Sequence, residues 1–389
     1  MGKLIFLLLL ILYLLPPVGP VWASTEIWPI SYNCDFDRYT SVIARDKAMG
    51  DISGMVLANS NFLMVTKYPE GTIGLFKSID EGKTWTYQGL IMTGKWSGAA
   101  AYGNEVYVTS SYNGFPKSVN FKTSADGGNT WGKLVEIYSA DNLLIDTRVI
   151  RLTDGALLAA FTEVEGNTST GVYTVIIYKS TDRGNTWSRL SSPVKGPKNV
   201  NIEDPKFVQL DSGDLLLAYE YEEKDGGYSH LYQQRSTDFG ATWEPATNLW
   251  DGGTDADVEP GGYLRFSDRE LWFVASTDED DNPEFRSFTE AKIKRRLSRD
   301  GGRTWGAVAT LLNFSDHQVM DSVILPGNRV GLFDVRFSKS GIKTAYFYVM
   351  EKTAINLGEK VDYLRLNNLW IENFRPKRKS FNSKLCPAF

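Results

Sequence analysis

The stretch Ser180-Thr181-Asp182-Arg183-Gly184-Asn185-Thr186-Trp187 decides the fold, because the chain contains its pattern Ser-x-Asp-x-Gly-x-Thr-Trp five times. The other copies are Ser78 to Trp85, Ser124 to Trp131, Ser236 to Trp243 and Ser298 to Trp305. Their first serines are 46, 56, 56 and 62 residues apart along the chain. Repeats near that length indicate one supersecondary unit that is used several times, as in the blades of a propeller.

Each octet is predicted to be a tight turn that leads into a strand. The Asp side chain accepts hydrogen bonds from nearby backbone N–H groups, and Gly adopts a backbone angle that other residues resist. The Thr and Trp that follow fit a pleated surface. Five aspartates at this spacing would lie at five separate places on a ring, so we interpret them as structural rather than catalytic.

The segments between the octets read as strands. Runs of β-branched, aromatic or aliphatic residues bounded by turn residues occur, for example, at 155–161, 172–178, 214–221 and 271–276. The order is two strands, a third that ends at the octet, and a fourth after its Trp, which is a four-stranded antiparallel blade. Blades are predicted at 51–95, 96–140, 141–198, 199–252, 253–312 and from about 313 onward, where the octet is missing. The predicted fold class is all-β, a six-bladed β-propeller.

The two ends of the chain differ from this repeating part. Residues 4–15 form an unbroken apolar run after Lys3, which is too short to span a bilayer and is typical of a signal peptide. We expect cleavage after Ala23, export to the extracellular space or periplasm, and a mature protein without a stable membrane span. Residues 24–389 then form one propeller domain with terminal closure strands and a basic tail at 375–379, which we interpret as a solvated end.

Composition excludes several other classes of function. The net charge of −5 argues against binding of nucleic acid, for which a basic surface is expected. With only two histidines, His230 and His317, the chain has little material for a zinc site or for a Ser-His-Asp triad. The two cysteines, Cys34 and Cys386, lie near the mature ends, where a disulfide would close the ring; two free thiols are the alternative.

The octet resembles the Asp-box, or BNR repeat, of the sialidase superfamily. This resemblance covers residues 78–305 directly and implies a six-bladed propeller whose last blade lacks a box and is completed by a terminal strand. It does not imply one activity, because the repeat occurs in sialidases, in other glycosidases and in non-catalytic proteins.

The resemblance also implies where a site would lie, at the start of the innermost strand of each blade. The residues at those positions are Asp51, Trp96-Ser97, Asp146-Thr147-Arg148, Glu203-Asp204-Pro205, Asp257-Val258-Glu259-Pro260 and Asp321-Ser322. Five of the six positions carry a carboxylate. Carboxylates that converge repel one another, which raises some pKa values, while an arginine lowers others.

Such a separation of pKa values is what hydrolysis of a glycosidic bond requires. We predict Glu203 and Glu259 as acid/base and nucleophile in either order, with Asp204 able to take either role. Asp51, Asp146, Arg148, Asp321 and Arg336 are predicted to bind substrate, and Trp96 to stack on a sugar ring. The alternative for each acid is a structural one, because turns collect Asp and Ser. Acidic clusters also suit structural calcium, for which Asp278 to Asp281 is a candidate loop or else a solvated charge run.

The chain departs from sialidases in the features that recognise an anionic sugar. Residues 51–54 read Asp-Ile-Ser-Gly instead of Arg-Ile-Pro, and only Arg148 and Arg336 stand where two of three arginines could be. Tyr346 or Tyr348 could serve as the nucleophilic tyrosine. An acidic cavity favours a neutral sugar, and the Glu-Asp-Pro and Glu-Pro stretches resemble those of exo-arabinanases with this fold.

The sequence therefore predicts a secreted, monomeric, exo-acting glycoside hydrolase without a cofactor. The alternative is a non-catalytic propeller that binds a glycan or a protein through the same face.

Overall fold

The runs of β-branched, aliphatic and aromatic residues between the octets form strands, because such side chains fit a pleated surface. The computed structural model describes residues 39–46, 49–69, 71–114, 117–223, 228–251, 258–277, 292–312, 317–337 and 343–352. These residues contain 24 strands in six four-stranded antiparallel sheets. The predicted six-bladed propeller is confirmed.

Each of the first five blades is built from four consecutive strands. In blade one they are β2 (Ser53–Val56), β3 (Phe62–Lys67), β4 (Thr72–Ser78) and β5 (Thr86–Thr93). In blade two they are β6 (Trp96–Tyr102), β7 (Glu105–Tyr112), β8 (Lys117–Ser124) and β9 (Val135–Ala140). In blade three they are β10 (Leu143–Arg151), β11 (Leu157–Glu165), β12 (Val172–Ser180) and β13 (Ser188–Lys195).

Blades four and five follow the same order. Blade four has β14 (Val200–Gln209), β15 (Leu215–Glu223), β16 (Tyr228–Ser236) and β17 (Thr247–Asp251). Blade five has β18 (Val258–Arg265), β19 (Leu271–Thr277), β20 (Lys292–Ser298) and β21 (Ala309–Leu312). The first strand of each blade contacts the first strands of its neighbours, so these strands surround the axis.

Blade six joins the two ends of the described chain. It contains β22 (His317–Leu325), a short 3-10 turn (Pro326–Asn328), β23 (Arg329–Phe337) and β24 (Lys343–Glu351). Its fourth strand is β1 (Tyr39–Asp46), which pairs antiparallel with β24. The ring is therefore closed by hydrogen bonds between segments from opposite ends of the sequence.

The hydrophobic core lies between the blades rather than inside one sheet. One cluster joins blades three and four and contains Leu158, Val175 and Leu217, all fully buried. A second joins blade six to blade one through Phe62, Phe333 and Phe347, and similar clusters fill the other junctions. Because each blade buries both faces against its neighbours, the ring holds the innermost strands at fixed positions.

The octets fold as the tight turns that the sequence predicts. The Ser180 hydroxyl donates to Asp182 Oδ1 over 2.8 Å and accepts the N–H of Gly184 over 2.8 Å. Asp182 also accepts the Thr186 N–H at 2.9 Å and the Thr186 hydroxyl at 2.6 Å. Together these bonds lower the pKa of Asp182 to about 2, and the bond from the Thr186 hydroxyl has the largest effect. The carboxylate is therefore occupied by its own turn and keeps its charge.

The octets also join neighbouring blades. The Trp187 ring packs edge-on against Phe121 of blade two, with centroids 5.2 Å apart. At Gly184, which has φ of +86°, an added Cβ would lie 2.1 Å from the same Phe121 ring. Glycine is required here because the backbone angle is left-handed and the preceding blade is in contact.

Several predicted features lie outside the described residues. They are the leader at 1–23, Cys34, Cys386, Asp257, the acidic run Asp278 to Asp281 and the basic tail. Among the described residues, no helix has the length and apolar character needed to cross a membrane.

Candidate active site

The sequence predicts the site residues at the start of the innermost strands. In the structure, most of them lie further along, inside those strands. The strands begin earlier and contain a β-bulge at the site, between Ile145 and Arg148 in β10 and between Glu203 and Lys206 in β14. Asp146 and Asp204 occupy the bulges with φ of 52° and 50°, and Asp51 has φ of 49° before β2. A bulge redirects side chains without ending the strand. The three aspartates thus occupy corresponding positions in three blades.

Arg148 is the centre of a polar network, here called the hub network, that connects blades one to four. Its guanidinium donates to Asp204 Oδ1 over 3.1 Å and to the Ser97 carbonyl over 2.9 Å. The Ser97 hydroxyl donates in turn to the Asp51 carbonyl over 3.0 Å. Arg148 is only 8% exposed, so these bonds form largely out of water.

Blade six enters the same region through Asp321. Its carboxylate accepts the N–H of Gly54 in blade one and the N–H of Ser322, each over 2.8 Å. The buried Lys206 ammonium of blade four donates to the Met320 carbonyl over 3.0 Å. Arg148, Lys206 and Asp321 line an axial cavity of about 350 Å³, to which all six innermost strands contribute.

Three carboxyl groups beside the hub network form what we call the acid cluster, namely Asp204, Glu220 and Glu259. One oxygen from each lies within 4.8 Å of the others. Glu220 belongs to β15 and stands opposite Glu203 in the register with β14. The structure therefore places Arg148, Glu203, Asp204 and Glu259 in one region, together with a carboxyl group from the second strand of blade four.

Sequence reasoning missed Glu220 because it considered only the innermost strands. Glu220 is 7% exposed, and among the described residues its carboxyl group has no hydrogen-bond or ion-pair partner. One signal was available in the sequence: an ionisable residue ends the apolar run Leu215 to Tyr219, where every residue is buried.

Burial and mutual repulsion raise the pKa values of several of these acids. For Glu220, burial has the largest effect, followed by the charges of Glu259 and Glu203. Burial also raises the pKa of Asp146 well above its usual range, with Asp204 and Glu203 adding to it. Their protonated forms are favoured, because their ionised forms would be desolvated among like charges.

The raised pKa values predict that the folded protein loses stability as the pH rises from about 4 to about 6. Burial, and then the charge of Asp204, raises the pKa of Asp51 from 3.8 to about 6. In this window the folded state keeps a proton that the unfolded chain releases, so rising pH favours unfolding. Asp51→Asn should remove roughly 1–2 kcal/mol of this loss. Asn is suited to the positive φ of this position.

Urea unfolding of the parent and of Asp51→Asn at about pH 4 and about pH 6.5 measures the difference. The pH dependence of the variant should be shallower, and its stability at the higher pH should exceed that of the parent. Equal dependence in the two proteins would contradict a protonated Asp51 in the fold.

Two predicted sugar contacts, Trp96 and Arg336, are not members of the acid cluster. The ring of Trp96 is partly buried against the hydrophobic core between blades three and four, and the Lys95 ammonium lies 4.2 Å from its centroid. Arg336 is exposed on β23 in blade six, near Asp334 and Tyr348. Burial, with the nearby Asp334 charge, raises the pKa of Tyr348 well above its usual range, so this phenol stays protonated. The roles given to these residues remain predictions.

The acid cluster could also hold a cation. Calcium binds carboxylate oxygens at about 2.3–2.6 Å, so ligands of one ion lie up to about 5 Å apart. The oxygens of Asp204, Glu220 and Glu259 meet that limit. Within the described part of the chain, this is the one group of three or more acidic, histidine or cysteine ligands with such spacing.

Comparisons with known proteins agree with this architecture. A protein of unknown function from Dyadobacter fermentans superposes with a TM-score of 0.63 at 14% identity, covering 80% of this chain and 97% of that one. An α-L-arabinanase from Penicillium chrysogenum, solved with arabinobiose, gives 0.57 at 13%, covering 79% and 94%. A Trypanosoma rangeli sialidase in complex with 2,3-difluorosialic acid gives 0.55 at 12%, covering 84% of this chain and 56% of that one.

At these identities the structural likeness shows the fold alone, and a search of curated proteins found no match. The family model of the BNR repeat-like domain matches residues 64–315, a span that contains all five octets and more than half of the chain. The chain therefore belongs to the BNR repeat-like domain family.

Proposed function

We propose that the protein is a glycoside hydrolase that cleaves a neutral sugar from a glycan with two carboxyl groups of the acid cluster. One observation carries the proposal: the buried Glu220 has no partner among the described residues and stands within 4.8 Å of Glu259 and Asp204. A carboxyl group that keeps its proton beside an ionised one is the arrangement that glycosidic bond cleavage needs.

The roles follow from the surroundings of each group. Glu220 holds the proton, because burial and the charges of Glu259 and Glu203 raise its pKa. Glu259 is the ionised partner that attacks the anomeric carbon or activates a water. Their oxygens lie within 4.8 Å, which is nearer to the about 5–5.5 Å of retaining enzymes than to the about 6.5–9.5 Å of inverting ones.

This proposal gives the proton-donating role to Glu220 rather than to Glu203, which the sequence analysis paired with Glu259. Glu203 then contributes the negative charge opposite Glu220 in the strand pair. Asp204 pairs with Arg148 over 3.1 Å and is available to accept a hydrogen bond from a sugar hydroxyl.

The charge around the site favours a neutral sugar. Carboxyl groups from five blades face the axis, with Arg148 and Lys206 as buried cations between them; the acids are Asp51, Asp146, Glu203, Asp204, Glu220, Glu259 and Asp321. An anionic sugar would be repelled there. Folds similar to this one occur in an arabinanase and in sialidases, so fold alone does not decide between a neutral and an anionic substrate.

The proposed place of action is outside the cell or in the periplasm. This part of the proposal rests on the leader predicted at residues 1–23. The substrate would accordingly be an exported or extracellular glycan.

A second candidate function is calcium-dependent glycan binding without hydrolysis. The spacing of the three acid-cluster oxygens supports it, because a divalent cation would relieve their repulsion without a proton. In that case calcium would raise the thermal stability of the parent protein, and Glu220→Gln would abolish the effect.

The test is a panel of chromogenic neutral glycosides, arabinofuranosides included, and sialosides, assayed with calcium and with a chelator. We expect release from at least one neutral glycoside, none from sialosides, and no change on chelation. Binding of a glycan that needs calcium and is not followed by turnover would select the second candidate. Turnover of sialosides alone would overturn the neutral-sugar assignment.

A further inference from the structure

A second concave site lies on the face opposite the acid cluster, between blades four and five. It is a pocket of about 420 Å³ between the turn after β14, the turn after β18 and the octet of blade five. We call it the arginine pocket, because four of its lining residues are arginines: Arg235, Arg269, Arg299 and Arg303. No role in the proposed hydrolysis involves it.

The octet of blade five differs from the other four where it faces this pocket. The second and sixth positions of the octets are occupied by Ile79 and Lys83, Ala125 and Asn129, Thr181 and Asn185, Thr237 and Ala241, and in blade five by Arg299 and Arg303. At the sixth position, Asn129 and Asn185 donate their side-chain amides to the carbonyls of Asp126 and Asp182 within their own turns. Among the described residues, the side chains of Arg299 and Arg303 form no such bond. The turn therefore does not explain why both are arginine in one copy.

The acidic side chains of the pocket already have ion-pair or hydrogen-bond partners within the protein. Asp214 pairs with the buried Arg235 over 2.6 Å. Asp268 accepts the N–H groups of Asp211 and Ser212 over 2.6 and 3.1 Å. Asp300 accepts bonds within its own octet, which lower its pKa to about 2.

The floor of the pocket is formed by Arg235, whose charge is paired with Asp214. Arg235 has a side chain that is 5% exposed, and it donates to both Asp214 and the Gly301 carbonyl. By contrast, Arg269, Arg299 and Arg303 are exposed, and among the described residues none of them has a carboxylate within ion-pair distance. Three guanidinium groups thus line a concave surface with their donors directed to solvent or to a ligand.

We propose that the arginine pocket binds an oxyanion group, the sulfate or phosphate ester of a sugar. A guanidinium offers a planar fork of donors that matches such a group, and two forks on one turn can hold it from two sides. The volume of about 420 Å³ is within the usual size of small-ligand sites and leaves room for a sugar ring beside the ester. The ligand is thus an anionic sugar, in contrast to the neutral one proposed for the acid cluster.

Isothermal titration calorimetry of the parent with inorganic sulfate, inorganic phosphate and glucose 6-phosphate tests this proposal, with glucose as the neutral reference and ionic strength held constant. We expect binding of the anions and none of glucose. The double variant Arg299→Gln/Arg303→Gln should bind roughly tenfold more weakly or worse, because it loses two charge-assisted interactions. Tighter binding of glucose 6-phosphate than of phosphate would identify the sugar ester as the ligand. Equal binding of the two would show that the pocket recognises the oxyanion alone and would overturn the sugar part of the proposal.

The matched control is Arg183→Gln, which removes an exposed arginine from the octet of blade three. It should bind the anions as the parent does. Failure of the parent to bind any of the three anions would overturn the proposal. Equal weakening by Arg183→Gln would also overturn it, because the binding would then follow overall charge and not the pocket. Neither result depends on whether the protein hydrolyses glycosides.

Discussion

Replacing Glu220 by glutamine should lower the kcat for an unactivated neutral glycoside by about 10²–10⁴-fold, the usual contribution of general acid catalysis. Glutamine keeps the size of the side chain but cannot deliver a proton to the leaving oxygen. A substrate whose leaving group is a stabilised phenolate does not need that proton, so its hydrolysis should be much less affected. Comparing the two substrates on parent and variant measures the role, because a merely structural loss would lower both rates alike.

The pH profile gives a second measure of the same role. In the parent, activity should fall at high pH as Glu220 loses its proton, and this limb should disappear in Glu220→Gln. The control is Glu223→Gln, an exposed residue of the same strand, which should behave as the parent. Equal losses on both substrates, or an unchanged alkaline limb, would remove Glu220 from the proton-donating role.

The fold could be predicted from the sequence because the octet encodes it locally. Ser180, Asp182 and Thr186 complete their hydrogen bonds within eight residues, so the turn needs no partner from elsewhere in the chain. For blade six, the resemblance implied that a terminal strand completes the sheet, but no local pattern identified which segment that is. Tyr39–Asp46 carries no octet, and its pairing with Lys343–Glu351 joins segments about 300 residues apart, which no local pattern reveals.

The site could be predicted in part for a related reason. Aligning the blades was enough to bring Arg148, Asp204 and Glu259 to one region, because corresponding positions of innermost strands converge on the axis. The bulges at Asp146 and Asp204 were not predictable, since non-glycine residues seldom take positive φ and no glycine marks the place. Glu220 was missed because convergence at the axis was taken to involve the first strand alone.

The substitution Arg148→Met should destabilise the fold by roughly 2–4 kcal/mol, because breaking a buried ion pair leaves an uncompensated charge. We expect less than the maximum, since the Asp204 side chain is 24% exposed and water can reach it. The change also leaves the Ser97 and Thr147 carbonyls without the donors that now reach them over 2.9 and 3.0 Å. Urea unfolding at neutral pH measures the loss.

A double-mutant cycle separates the charge effect from lost packing. If the cost comes from Asp204 standing among other carboxylates without Arg148, then Asp204→Asn should recover part of the stability in the Arg148→Met background. In the parent background the same change should be destabilising, because it weakens the pair. Arg189→Met, on the exposed surface of blade three, is the control and should change stability by less than about 0.5 kcal/mol.

The hub network also links this stability to the proton balance of the site. The Arg148 charge lowers the pKa values of Asp51 and Asp146 against the effect of burial. Without Arg148 both acids should hold their protons to higher pH, so the loss of stability with rising pH should extend to higher pH and become larger in total. Additive effects of the two substitutions, together with an unchanged pH dependence, would mean that Arg148 supports the ring through packing alone and does not control the charge of the acids around it.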